Sequence, residues 1–142
     1  MTSLNAHPIP HISTANDPIH SPTDLQQRWR ALMGPLGFGE RLVWMAVIGP
    51  DNRFTKALTQ VEIDCPPDEQ VANNLVWAMG EAIGEVADVR MAALLTRPGS
   101  GGISDTDRAW ARLLTDAAAR HRVRFEPVFR AHDEMLVEVP TC

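Results

Sequence analysis

The spacing of hydrophobic residues divides most of the chain into helices and strands. Apolar residues recur at helical spacing in three stretches, which open at Ser21 or Thr23, at 66–68 and at Ser104. Continuous or alternating apolar runs predict five strands, at 42–48, 55–63, 89–96, 123–129 and 135–139. The order α-β-β-α-β-α-β-β predicts a single α/β domain in which helices flank a mixed sheet.

The first 21 residues follow neither spacing. This segment contains three prolines and three histidines, and Asp17 is its only charged side chain. Its prolines remove backbone donors, so we expect a disordered N-terminal arm at 1–21 and a folded domain at 22–142. The alternative is an arm whose histidines bind a metal or whose sequence binds a partner.

The composition is that of an ordinary globular protein with a modest excess of acid. The 142 residues include 18 Asp and Glu against 13 Lys and Arg, which gives a formal net charge of -5 at pH 7. This balance argues against a general nucleic-acid coat protein and leaves room for a local basic patch.

Two features of the sequence predict the compartment in which the protein works. The two cysteines, Cys65 and Cys142, are too few for a disulfide framework, which indicates reduced thiols. No apolar run approaches the roughly 20 residues of a membrane span, and the N-terminus lacks the pattern of a secretory signal. We therefore expect a cytoplasmic protein with no membrane partner.

Three segments carry a resemblance to a known family. They are the first strand and its turn at 39–54 (GERLVWMAVIGPDNRF), the helix entry at 66–69 (PPDE) and the glycine-rich loop at 97–107 (RPGSGGISDTD). With the closing strands, they resemble the JAB/MPN domain, most of all its bacterial RadC-like branch, over about residues 22–140. The resemblance implies a fold related to that of the cytidine deaminases.

In active members of this family the loop reads His-x-His-Pro, then Gly, then Ser-x-x-Asp. The resemblance implies that two histidines and the aspartate hold zinc. A glutamate from an earlier segment activates the zinc-bound water, which attacks an isopeptide or related amide bond. Imidazoles and a carboxylate suit this chemistry because they bind zinc and leave one position open for water.

The histidines of that pattern are missing from this chain. Aligned on the Ser-x-x-Asp end of the loop, their positions fall on Leu94 and Thr96. Aligned on the proline of the loop, they fall on Leu95 and Arg97. Leucine cannot bind zinc and arginine repels it, so we expect a pseudoenzyme that holds no metal and no other cofactor.

Few residues of the zinc centre remain as candidates. Asp107 matches the aspartate ligand, Ser104 lies beside it, and Glu40 is the best match to the general base. The structural alternative is that Ser104 and Asp107 form a capping box at the start of the third helix. A site relocated around Asp107, with Glu40 and His132, would instead make the protein a hydrolase or a small-ligand binder. In that case Asp107 and His132 are the metal candidates.

The glycine-rich loop is itself a candidate anion site, because free backbone amides bind anions. It lacks the Lys-Ser/Thr end of a phosphate-binding loop. Asp105 and Asp107 would repel phosphate, although Arg97 offsets them. A plain connecting loop is the interpretation that these residues favour.

Aromatic and basic residues mark candidate partner surfaces. Trp29 lies on the first helix and Trp77 lies off the apolar stripe of the second, so either can anchor a partner. Four arginines cluster late in the chain: Arg120, Arg122, Arg124 and Arg130. We predict a non-catalytic domain that acts through association with a protein partner or with a second copy. The alternatives are nucleic acid bound by the arginines and a solvated sheet edge.

Overall fold

A computed structural model describes residues 9–63, 66–84, 86–133 and 135–140. In these ranges the helices are α1 (Pro22–Met33), α2 (Glu69–Ile83) and α3 (Asp105–Arg120), and a 3₁₀ helix precedes them at Ile12–Asn16. The strands are β1 (Leu42–Ile48), β2 (Phe54–Glu62), β3 (Arg90–Thr96), β4 (Phe129–Ala131) and β5 (Leu136–Glu138). The predicted α/β class and the predicted order of elements are confirmed.

The five strands form one mixed sheet in the order β2-β1-β3-β4-β5. β1 pairs antiparallel with β2 and β3, β3 pairs parallel with β4, and β4 pairs antiparallel with β5. α3 connects the parallel pair, which a short turn cannot join. β1 and β3 lie inside the sheet, which explains their near-continuous apolar sequences, LVWMAVI and RMAALLT.

Helices cover both faces of the sheet and enclose two apolar cores. On one face α2 and α3 pack on alternate residues of the central strands, including Val43, Met45 and Leu95; we call this the α2/α3 core. On the other face α1 packs on the remaining residues, including Ile48 and Leu94; we call this the α1 core. Successive side chains of a strand point to opposite faces, so each central strand contributes to both cores.

A side chain caps the first turn of each of the three helices. Ser21, Asp68 and Ser104 each accept a hydrogen bond from a backbone amide two or three residues later. The helices are 12, 15 and 16 residues long. In the described part of the chain, none is both long and apolar enough to cross a membrane.

The arm predicted to be disordered at 1–21 packs on the domain over residues 12–19. It holds the 3₁₀ helix, and Ile19 is buried in the α1 core. Ile19 N donates to Asn52 O at 2.6 Å, and the Arg28 guanidinium donates to two carbonyls of the arm. Because these contacts join the arm to distant parts of the chain, the spacing within the arm carries no sign of them. Residues 1–8 lie outside the described part.

The fourth strand is shorter than predicted and lies later in the chain. The apolar alternation predicts it at 123–129, whereas β4 begins at Phe129. Before it, Phe125 forms an isolated bridge to β3. Pro127 has no amide to donate, so a regular ladder does not extend through this stretch. The predicted hairpin is confirmed, with β4 and β5 antiparallel around the turn that begins at His132.

Candidate functional site

An ion pair between Arg97 and Asp107 joins the two ends of the glycine-rich loop. Arg97 follows β3, and Asp107 lies in the first turn of α3 with 3% of its surface exposed. Arg97 Nε lies 3.1 Å from Asp107 Oδ1 and Nη2 lies 3.1 Å from Oδ2, so the pair is bidentate. Arg97 Nη2 also donates to Gly102 O, which ties the loop to the same guanidinium.

Asp107 also closes a capping box with Ser104. Ser104 Oγ accepts a hydrogen bond from the Asp107 amide at 3.0 Å, and Asp107 Oδ2 accepts one from the Ser104 amide at 3.0 Å. This geometry confirms the structural alternative predicted from the Ser-x-x-Asp spacing. Both carboxylate oxygens of Asp107 therefore already accept hydrogen bonds from the chain.

The two possible alignments with the family's histidine pattern place its histidine positions on different faces of β3. Leu94 packs in the α1 core, and Thr96 Oγ1 accepts from a β1 indole of that face at 3.0 Å, so both point away from Asp107. Leu95 packs in the α2/α3 core and Arg97 contacts Asp107, so these two share its side of the sheet. Only the alignment on the proline places both positions on the side of the aspartate. The resemblance implies imidazoles at these two positions, which leucine and arginine occupy in this chain.

A second guanidinium, that of Arg130, is buried beside this pair. Arg130 lies on β4 opposite Leu95, so it points to the α2/α3 side, and it is 0% exposed. Its Nη1 donates to Gly102 O at 2.9 Å and lies 3.7 Å from Asp107 Oδ2. The prediction that Arg130 belongs to a partner-binding surface is therefore wrong. β4 is an interior strand, and α3 and the glycine-rich loop cover this side of it.

His132 anchors the glycine-rich loop from the turn after β4. The ring is buried, its Nε2 lies 2.6 Å from Gly101 O, and its Nδ1 accepts from Met135 N at 3.2 Å. A ring nitrogen that accepts an amide hydrogen carries no proton, so Nε2 carries the proton and donates to Gly101 O. Asp133 and Gly99 exchange two further hydrogen bonds of 3.0 Å. The backbone thus engages both ring nitrogens of His132.

We call Arg97, Asp107, Arg130 and His132 the loop-anchor cluster. Burial raises the pKa of the Asp107 carboxyl, but Arg97 and Ser104 lower it by more, so the net shift of this pKa is downward. Burial lowers the pKa of the Arg130 guanidinium, while Asp107 raises it and Arg97 lowers it. Two guanidinium groups therefore face one carboxylate. The resulting excess of positive charge opposes the binding of a metal cation.

Glu40 does not join the loop-anchor cluster. It is exposed and lines a surface groove of about 370 Å³ beside Pro98, and neither Asp107 nor His132 lines that groove. The groove thus fails to unite the three residues that a relocated site needs. Among the described residues, no group of three or more His, Cys, Asp or Glu is arranged to hold a metal ion. Both cysteines lie outside those residues.

The structure brings Trp77 together with two of the predicted arginines. Trp77 lies on α2 and is 55% exposed. Beside it is a groove of about 340 Å³, which Arg122 and Arg124 line from the chain that follows α3. Two acids, Glu81 and Asp88, line the same groove among apolar residues. We call it the Trp77 groove.

Trp29 and Arg120 lie elsewhere. Trp29 is 0% exposed, and its ring centroid lies 5.1 Å from that of Phe54 at a tilt of 54°. The prediction that Trp29 binds a partner is wrong, because α1 turns its apolar stripe onto the sheet. Arg120 is exposed, and its guanidinium lies 3.4 Å from Asn73 Oδ1 and 3.9 Å from Glu69 Oε1, so it bridges α3 to α2.

An apolar groove lies between the 3₁₀ helix and β2. It encloses about 310 Å³, and its lining includes Ile12, Leu32, Phe54 and Leu58. It forms where the N-terminal arm folds back on the sheet, so the sequence spacing does not reveal it. Leu58, which lines the groove, lies on the edge strand β2 and is exposed.

Comparison with known proteins identifies no relative. No protein-family model matches the chain, and neither a curated protein nor a solved structure matches it. The residues and their geometry are therefore what bears on function.

Proposed function

We propose that this chain is a non-catalytic JAB/MPN-type domain of the RadC-like branch that acts in the cytoplasm by associating with a second copy of itself. The order of helices and strands supports the family. So does the loop between β3 and α3, where Ser104 and Asp107 hold the positions of the family motif. A cytidine-deaminase-like fold is part of the same proposal.

The bidentate ion pair between Arg97 and Asp107 is the observation that best supports a non-catalytic domain. In the family pattern, a histidine at position 97 and the aspartate share a zinc ion. Here the two side chains bind each other directly through two contacts of 3.1 Å. A zinc ion would have to displace Arg97 and would then meet Arg130, which lies 3.7 Å from the same carboxylate. The ion pair thus joins β3 to α3 without a metal.

Elemental analysis of the purified protein, dialysed from a zinc-containing buffer, tests the loss of the metal centre. We expect no stoichiometric zinc in the wild-type chain, and Asp107→Ala is expected to leave the zinc content unchanged. Stoichiometric zinc that disappears in Asp107→Ala would overturn this part of the proposal.

The Trp77 groove supports association with a second copy. An exposed tryptophan is the kind of side chain that contributes most to protein interfaces. Acids and arginines line the same groove, so two copies related by a two-fold axis can set Arg122 and Arg124 of one against Glu81 and Asp88 of the other. A partner surface that carries only one sign of charge would be repelled by the groove residues of the same sign.

Analytical ultracentrifugation tests the association. We expect the wild-type chain to dimerise and Trp77→Ala to weaken dimerisation by about 2 kcal/mol, roughly 30-fold in Kd. Met135→Ala is the matched control, because Met135 is 51% exposed and lies outside the groove. A wild-type chain that stays monomeric, or equal weakening by both variants, would contradict the proposal.

Nucleic acid is the less supported partner. Arg122 and Arg124 are exposed, but Arg130 is buried, and Glu81 and Asp88 would repel phosphates at the same groove. Binding to nucleic acid that weakens steeply with salt, and that Arg124→Glu abolishes, would favour that function over self-association.

A further inference from the structure

Three buried N–H donors on β4 and α3 have no acceptor among the described residues. Two are Nε and Nη2 of Arg130, whose side chain is wholly buried. The third is Nε1 of Trp110, which lies one turn after Asp107 on the buried face of α3. Buried donors nearly always have a partner, because an unpaired donor gives up its hydrogen bonds to water without replacement.

The charge of the loop-anchor cluster indicates what kind of partner is needed. Two guanidinium groups face one carboxylate, and Arg97 holds that carboxylate more closely, at 3.1 Å against 3.7 Å for Arg130. The direct hydrogen-bond acceptor of Arg130 is a neutral carbonyl, that of Gly102. A buried charge is stabilised by an opposite charge and full hydrogen bonding, and an anion would supply both to the Arg130 guanidinium.

The glycine-rich loop provides a route to Arg130. Gly102 O accepts hydrogen bonds from both Arg97 and Arg130, and residues 99–102 are exposed. Gly99 and Gly101 have φ of 97° and 99°, values that glycine adopts without strain. An anionic oxygen is a stronger acceptor for a guanidinium than a neutral carbonyl such as that of Gly102.

We propose that the loop-anchor cluster binds a small monocarboxylate beneath the glycine-rich loop. The planar guanidinium of Arg130 offers Nε and Nη2 to the carboxylate oxygens, and the Trp110 indole offers a further N–H. A single excess positive charge matches a monoanion, whereas the nearby Asp107 disfavours a phosphate dianion. This site does not depend on the proposed self-association, because the Trp77 groove shares no residue with it.

Thermal unfolding tests the site, with acetate as the probe and chloride at equal ionic strength as the reference. We expect the wild-type Tm to rise as acetate replaces chloride, with a stabilisation that increases with the logarithm of the acetate concentration above Kd, because acetate binds the folded chain. Arg130→Met removes the guanidinium and is expected to weaken acetate binding by about tenfold or more. Arg112→Met removes an exposed arginine of α3 that lies outside both the cluster and the Trp77 groove, and it should match the wild type.

Two results of that experiment would overturn the proposal. One is a wild-type Tm that responds equally to acetate and chloride, which would mean that water satisfies the donors. The other is an acetate response that Arg130→Met retains in full. Phosphate at equal ionic strength is a third arm of the experiment, and a larger rise in Tm with phosphate than with acetate would overturn the choice of a carboxylate.

NMR of the wild-type chain gives a readout that does not require a variant to fold. The indole N–H signal of Trp110 is expected to shift with acetate along a saturating curve whose Kd agrees with the Kd fitted to the rise in Tm. Trp29 is the internal control, because its Nε1 is also buried without an acceptor but lies in the α1 core. A Trp110 signal that does not move, or equal shifts at both indoles, overturns the proposal.

Discussion

The role of Asp107 is decided by the residues beside it. A carboxylate in the first turn of a helix can bind a metal, cap the helix or pair with a cation. Here Ser104 and Arg97 supply N–H donors to both of its oxygens, so it caps α3 and pairs with a guanidinium at once. On the proposed family assignment, the residue at position 97 distinguishes this structural aspartate from a zinc ligand.

The stability that Asp107 contributes is expected to depend on pH. Burial raises its pKa, but Arg97 and Ser104 lower it by more, so the folded pKa lies below the ordinary value of about 3.9. The contribution is then fully present above that ordinary value and is lost as the pH falls through the folded pKa. Wild type and Asp107→Asn should differ in unfolding free energy by about 3 kcal/mol at neutral pH, and this difference should narrow below about pH 4.

Urea unfolding across that pH range measures the difference. Asp105→Asn is the control, because Asp105 is an exposed carboxylate of the same helical turn. A difference between wild type and Asp107→Asn that stays constant down to acid pH would contradict the ion pair.

Histidines placed at the two positions given by the alignment on the proline should create a zinc site. Leu95→His with Arg97→His places two histidines on the side of Asp107, so we expect stoichiometric zinc by elemental analysis and a Tm that rises when zinc is added. Leu94→His with Thr96→His is the matched control, because those side chains point to the opposite face. Zinc bound by the control pair and not by the first pair would show that the alignment on the proline is incorrect.

At the scale of elements, α3 and the loop before it determine how the sheet is joined. The loop connects β3 to α3, and β4 and the turn after it hold the loop through Arg130 and His132. The capping box at Ser104 fixes where the helix begins. Local spacing is enough to predict this start, because the cap involves residues only three positions apart.

Removing the cap hydroxyl should therefore weaken the domain by a small and defined amount. Ser104→Ala deletes the acceptor of the Asp107 amide and is expected to lower the unfolding free energy by about 1 kcal/mol. Urea unfolding should show a lower midpoint at an unchanged slope. Thr106→Ala, in the same turn but not at the cap, is the control. Equal losses in both variants would contradict a capping role for Ser104.

At the scale of the whole molecule, opposite charges share one groove although the chain is acidic overall. The net charge of -5 conceals the arginines that follow α3, which lie beside Glu81 and Asp88 in the Trp77 groove. The positive and negative charges of the groove largely cancel at long range. At contact distance, the groove favours a partner surface that carries both charges in the matching arrangement.

This arrangement predicts that two charge-altered variants should pair with each other better than with themselves. Arg122→Glu with Arg124→Glu makes the groove acidic, and Glu81→Lys with Asp88→Lys makes it basic. We expect each variant alone to be monomeric and their mixture to form a heterodimer, as measured by ultracentrifugation. A mixture that stays monomeric while the wild type dimerises would place the interface elsewhere.

The order of the helices and strands, the helix caps and the hairpin all follow from the sequence. Each depends on residue types within a few positions of one another, where spacing and backbone geometry leave little choice. Whether a single side chain is buried or exposed does not follow from the sequence in this way. Trp29 and Arg130 are both buried, and the arm packs on the sheet, because these contacts join residues far apart in the chain.

Only the tertiary structure decided which residues share a site. In the folded chain, Leu95 and Arg97 lie on the side of Asp107, and Arg130 is buried beside the ion pair of Arg97 and Asp107. Glu40 lies in a separate groove. The tertiary structure also set Trp77 beside the arginines that follow α3. These contacts depend on how the strands pair and on which face of the sheet each helix covers. Packing between segments that are distant in the chain determines both.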